Sequence, residues 1–109
     1  MTDTLSILGQ AIPSANTITT LYTVPAATST TVSSLTVCNQ SASSCTFNIS
    51  VAVAGAADTP KQYIYYELFL DGNDTFIATI GISMATTDVM RCFSTNASTS
   101  FNLFGVQIT

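Results

Sequence analysis

The chain has 109 residues, 47% hydrophobic and only 7% charged, with no histidine and a formal net charge of −4. That length amounts to one domain, large enough to bury a single core without staples. Its only cations, Lys61 and Arg91, cannot neutralise a run of phosphates, which excludes nucleic acid and an anionic membrane surface as partners. Serine and threonine supply the polarity instead. A surface so poor in charge suits a protein that buries much of itself in an assembly.

Taken in chain order, residues 1–17 read as an N-terminal arm and residues 18–109 as a β-sandwich domain. In the arm, Leu5, Ile7 and Leu8 make a short apolar run, and Gly9, Pro13, Ser14 and Asn16 then break regular structure. Two readings stand side by side. The run is a first edge strand packed on the core, or it reaches a neighbouring subunit through Leu5, Ile7, Leu8 and Ile12. The segment has no basic stretch and too short an apolar run for a secretion signal, and nowhere does the chain approach the roughly 18 apolar residues of a membrane helix. The expectation is synthesis and folding in a cytosol, where thiols stay reduced.

From residue 18 the pattern is that of strands and turns. "ITTLYTV" is a strand ended by Pro25, and "TVSSLTVCN" is the next. "CTFNISVAV" follows, where Phe47, Ile49, Val51 and Val53 alternate with Thr46, Asn48, Ser50 and Ala52, the period-two mark of one buried and one wet face. "KQYIYYELFL" is a strand or a bent pair, since its aromatic and β-branched content argues against a helix. "DGND" is a turn, "TFIATIGISM" and "VMRCFST" are strands, and "SFNLFGVQIT" closes the chain. About eight short strands with short turns predict an all-β, single antiparallel sandwich or jelly-roll-like domain with an N-terminal arm.

Chemistry is sparse. Without histidine, most catalytic triads and most zinc catalysis are unavailable. Asp58, Asp71, Asp74 and Asp88 fall in predicted turns, where aspartate caps backbone N–H groups. A calcium loop on "DGND" would need more oxygen ligands than Asp71 and Asp74 offer. No nucleophile has a base in a recognisable pattern and no phosphate loop is present, so the protein reads as a non-enzyme with no cofactor and no metal. The sequons at Asn39, Asn48, Asn73 and Asn96 are expected by chance in a chain this rich in serine and threonine.

Cys38 and Cys45 bracket six polar residues and read as flanking the tip of one hairpin, within disulfide range. The odd third cysteine, Cys92, and the reducing compartment favour free, small apolar residues over a bridge formed after release from the cell. A metal site lacks a fourth ligand. Tyr63, Tyr65 and Tyr66 form an aromatic cluster. Alternation puts Tyr63 and Tyr65 on one face and Ile64 and Tyr66 on the other, so one set packs the core while the other meets a subunit. The competing reading is a carbohydrate platform that also uses Tyr22.

Several segments carry a resemblance. "ILGQAIPSANTITTLYTVPAATSTTVSSLTVCNQ" and "YIYYELFLDGNDTFIATIGISMATTDVMRCFSTNASTSFNLFGVQIT" resemble small virion proteins of tailed bacteriophages, of the kind found in phages of cyanobacteria and marine bacteria. The most specific pieces are "LYTVPA", "SSLTVCNQ", "GNDTF" and "SFNLFG", and the sequence departs from the pattern at Cys45, Glu67 and Cys92. The resemblance implies a β-sandwich virion component assembled in the host cytoplasm. Its partners would be the major capsid protein or other virion proteins, and it would form a homo-oligomer, with a trimer as the expectation. Within the particle it implies a capsid decoration (cement) protein, or a protein of the tail, neck, baseplate or fibre attachment. The interface residues expected, from the arm and the tyrosine cluster, are Leu5, Ile7, Leu8, Ile12, Tyr63, Tyr65 and Tyr66.

Overall fold

A computed structural model describes residues 2–109; Met1, the first residue of the expected arm, lies outside the described residues. The described residues form nine strands: β1 (Asp3–Ala11), β2 (Thr19–Thr23), β3 (Ser29–Asn39), β4 (Cys45–Ala52), β5 (Tyr63–Leu70), β6 (Thr75–Ala78), β7 (Ile82–Met84), β8 (Val89–Ser94) and β9 (Thr99–Ile108). Short 3-10 turns at Val53–Gly55 and Pro60–Gln62 lie between β4 and β5. One sheet has the order β1-β9-β3-β6, with β7 also pairing β3, and the other has the order β2-β8-β4-β5. Every pairing is antiparallel.

The order has a simple logic. Each strand of the first half, β1 to β4, pairs only with strands of the second half, β5 to β9. The pairs β1–β9, β2–β8, β3–β6/β7 and β4–β5 are nested, as in one long hairpin rolled into two sheets. This is the jelly-roll arrangement. The expected strand "TFIATIGISM" is broken at residues 79–81, and its two pieces lie end to end along one edge of β3: β6 faces Leu35–Cys38 and β7 faces Thr30–Val32. The interruption turns the expected eight strands into nine.

The core lies between the sheets. Val32, Leu35, Val37, Leu103 and Phe101 from the β1 sheet meet Phe47, Ile49, Met90 and Cys92 from the β2 sheet, all essentially without solvent contact. Phe47 packs edge-on to Phe101 and tilted against Phe76, with ring centroids 6.1 and 5.5 Å apart.

Two sequence expectations change here. Cys38 and Cys45 do not flank a hairpin tip, because β3 and β4 belong to different sheets and residues 40–44 form an arch between them. The arch is built on Asn39, whose fully buried side chain donates to the carbonyls of Ser43 (2.8 Å) and Asp71 (3.1 Å) and accepts from the Ser41 N–H (3.0 Å). A buried amide satisfied this way holds backbone carbonyls that would otherwise lack donors. Gly72 touches the same arch; a Cβ there would stand 2.1 Å from the Ala42 carbonyl oxygen. The second change concerns β4. Phe47 and Ile49 face the core as the alternation predicts, but Asn48 and Ser50 are buried too, and Val53 leaves the strand into an exposed 3-10 turn. The supposedly wet face of β4 is central in its sheet, and the segment carrying the buried Gln62 packs against it.

Candidate interaction surfaces

β1 lies along β9 as an edge strand, in continuous register from Asp3↔Ile108 to Ile7↔Phe104, with an extra residue, Leu8, before Gly9↔Leu103. Strand alternation then divides its side chains. Asp3, Leu5 and Ile7 point away from the core, whereas Leu8 and Ala11 pack against it. Leu5 is 81% and Ile7 59% exposed, and Ile12, just beyond the strand, is also exposed.

The register extends this outward row across the sheet. Leu5 lies opposite Val106, which lies opposite Thr31 and then Ser83; Ile7 lies opposite Phe104, which lies opposite Ser34. Gln10, Asn102, Thr36 and Ile77 form the next row, with the Gln10 amide donating to the Asn102 side-chain oxygen at 2.7 Å. Among the described residues, the one charged side chain that belongs to this face is Asp3, at the corner. Lys61, Arg91 and the other carboxylates lie on the β2 sheet or in loops. Apart from Asp3 at its corner, the outer face of the β1 sheet is therefore a field of Ser, Thr, Asn and Gln around the apolar group Leu5, Ile7, Phe104 and Val106. Phe104 and Val106 were missed in the sequence reading. Only the register, which sets them beside Leu5 and Ile7, gives them a common surface.

The tyrosines divide differently from the alternation. β5 slips twice against β4, between Phe47 and Ile49 and between Ile49 and Ser50. Tyr65 thus sits opposite the core residue Ile49, and its ring packs on Phe76 and Phe47 at 5.2 and 6.4 Å. Tyr63 sits opposite Ser50 on the outer face, where it meets Tyr66 edge-to-face at 5.1 Å and 82°. Tyr63 and Tyr65, expected on one face, are on opposite faces because at the slip between Ile49 and Ser50 two steps of β5 match one of β4, leaving Ile64 as the extra residue. Tyr22 is buried, bonded to the Thr30 hydroxyl (2.7 Å) and to the Gln107 amide (2.8 Å), and contributes to no platform.

Tyr63, Tyr66, Asp58 and Pro60 line an open hollow of about 510 Å³ on the outer face of the β2 sheet. The Tyr63 hydroxyl donates to Asp58 Oδ2 at 2.7 Å. That hydrogen bond, with burial and the Asp58 charge, pushes the Tyr63 phenol up to about 12, against a smaller downward pull from Arg91. The expected interface residues therefore fall into two groups on opposite faces of the sandwich, Leu5 and Ile7 on one and Tyr63 and Tyr66 on the other. Leu8 and Tyr65 belong to the core packing.

The three cysteines are unbridged. Cys45 is buried against the Thr99 hydroxyl, Cys92 is buried in the core with its thiol pushed up to about 12 by desolvation, and Cys38 is half-buried on the outer face of β3. Among the described residues no three His, Cys, Asp or Glu side chains converge as metal ligands, and no helix is long and apolar enough to cross a membrane. Aspartates do cap turns: Asp88 accepts from the Ala54 and Ala85 N–H groups at 3.0 and 2.9 Å.

No protein-family model and no curated protein matches the sequence. Among solved structures, the chain is similar to one in the structure of infectious bursal disease virus, Gx strain, with a TM-score of 0.54 and 12% sequence identity over 97% of this chain. The present chain spans about 30% of that chain's length. At this identity the likeness is one of fold: an antiparallel sandwich built into a viral polypeptide.

Proposed function

We propose that the protein is a structural component of a virion that works by surface contact, without catalysis and without a cofactor, and that it serves as a capsid decoration (cement) protein on a tailed-phage head. The observation that carries this reading is the charge-poor outer face of the β1 sheet, with Asp3 alone at its corner and an exposed apolar group at its middle. Such a face has almost no charge to desolvate when a partner covers it, and its hydroxyls and amides can be met by hydrogen bonds across the contact. The sandwich shared with a chain of a virus structure supports the same reading, as does the resemblance of the sequence to phage virion proteins. The partner is the major capsid protein or another virion protein. Weak contacts at each site add up over a repeating lattice.

Copy number in purified particles, measured by quantitative mass spectrometry against the major capsid protein, tests this. A ratio near one, or a simple lattice fraction of it, is the expected result. A few dozen copies or fewer would move the protein to the tail, neck, baseplate or fibre attachment. Absence from particles would defeat both placements.

A second reading, carbohydrate binding for host recognition, is favoured by the Asp58–Tyr63–Tyr66 hollow, which joins aromatic faces to a fixed carboxylate. The perpendicular rings make an edge-lined notch rather than a flat stacking platform. Glycan-array binding that Tyr66→Ala abolishes would establish it.

A further inference from the structure

We infer that the free edge of β1 is a self-pairing edge, joining two copies of this chain across a two-fold axis into one continuous sheet. The inference does not depend on the virion reading. Thr2 and Thr109 exchange both backbone hydrogen bonds, at 2.8 and 3.0 Å. In an antiparallel ladder such exchanging pairs alternate with non-exchanging ones. Thr4 and Ser6 therefore turn their N–H and C=O groups toward β9, while those of Asp3, Leu5 and Ile7 point to the open side.

The other three edges carry features that block strand addition. β5 is bent by two register slips, carries Glu67 and is preceded by Pro60 and Lys61. The β6/β7 edge is broken into strands of four and three residues, with Asp71 and Asp74 ahead of it. β2 has five residues, a register slip and Pro25 just beyond it. By contrast β1 runs nine residues, and no charge or proline occurs between Thr4 and Ile12. Its bulge comes at Leu8, after the open run of Asp3, Leu5 and Ile7.

The sequence is self-complementary in one register. With Ser6 opposite the Ser6 of a second copy, Leu5 faces Ile7 in both directions, and each such pair exchanges both N–H···O bonds. Asp3 then falls opposite Gly9, away from its own mate. Centring the pair on Leu5 instead, a slide of two residues, would bring Asp3 against Ile7. In the favoured register Leu5, Ile7, Phe104 and Val106 of the two copies make one apolar strip across the joined outer face. Pairing uses up the edge, so this contact gives a dimer and cannot by itself give a trimer.

Sedimentation and native mass spectrometry of the purified chain test this. The expected species is twice the 11.4 kDa chain mass. Leu5→Lys and Ile7→Lys each shift it to monomer while circular dichroism and melting temperature stay near those of the parent, because both side chains are outside the core. In a Cys38→Ser background, mild oxidation crosslinks Ser6→Cys into dimers and leaves Thr4→Cys uncrosslinked, since only Ser6 meets its own mate at cross-strand distance. A monomer up to millimolar concentration, a trimer, or a dimer indifferent to both lysine variants overturns the proposal.

Discussion

Asn48 Oδ1 accepts a hydrogen bond from the Glu67 backbone N–H at 2.6 Å, and this contact marks the point where β5 slips against β4. A ladder bond is replaced by a side-chain bond, and Glu67 takes a φ of 50°. The slip carries Tyr65 into the core and leaves Tyr66 on the surface.

Removing the acceptor should loosen β5. Asn48→Ala leaves a partly buried N–H without a partner, and a cost of about 1–3 kcal/mol is expected. Glu67→Gly should do the reverse, relieving a left-handed backbone that costs an L-residue roughly 1–2 kcal/mol. Chemical denaturation checks both, with the midpoint falling for Asn48→Ala and rising for Glu67→Gly.

At Gly9 the backbone of β1 lies close against β2 of the other sheet. A Cβ there would stand 2.2 Å from the Leu21 carbonyl oxygen, so Gly9→Ala must push two backbones apart. Overpacking of this kind costs about 1–3 kcal/mol. The expected outcome is a melting temperature several degrees lower, together with faster amide exchange along β1.

The thiols should separate by accessibility. At mildly alkaline pH a thiol reagent should modify Cys38 quickly, while Cys45 and Cys92 react only as the protein unfolds. Cys38→Ser should remove the fast phase. Rapid modification of two or more thiols in the folded protein would contradict the burial described.

Tyr63 ties stability to high pH. Its phenol is pushed from 10.0 to about 12, so the neutral form is the one the fold stabilises. The contribution is whole below pH 10 and is lost as pH rises from about 10 toward 12. Phenolate absorbance should show a component rising near pH 12 that Tyr63→Phe removes, and the same substitution should flatten the fall in stability over that window.

How far the sequence reveals this molecule depends on which rule governs each stretch. In "SFNLFGVQIT", Phe101 and Leu103 are buried at spacing two, as unbroken alternation requires. Alternation fails at β5 because its bulges are decided by a contact from the neighbouring strand β4, and Asn48 lies outside the short window over which alternation around Glu67 is read. The arch after Cys38 looks like a hairpin loop because both are short and polar. The difference rests on the buried Asn39 amide, whose partners include Asp71, remote along the chain. The apolar group on the β1 sheet is half legible: Leu5 and Ile7 stand out, whereas Phe104 and Val106 join them only once the register sets the four side by side on the outer face.

The pairing of first-half strands with second-half strands alone bears on how the molecule is made. With no ladder joining any two of β1 to β4, a nascent chain emerging from the ribosome has no sheet to form until β5 follows. β1 must wait for the last strand, β9. Folding then rests on long-range closures, which are slow and leave apolar strands unpaired in the interval. By the same logic, a cut between β4 and β5 would yield two fragments that are each strandless alone and complementary together.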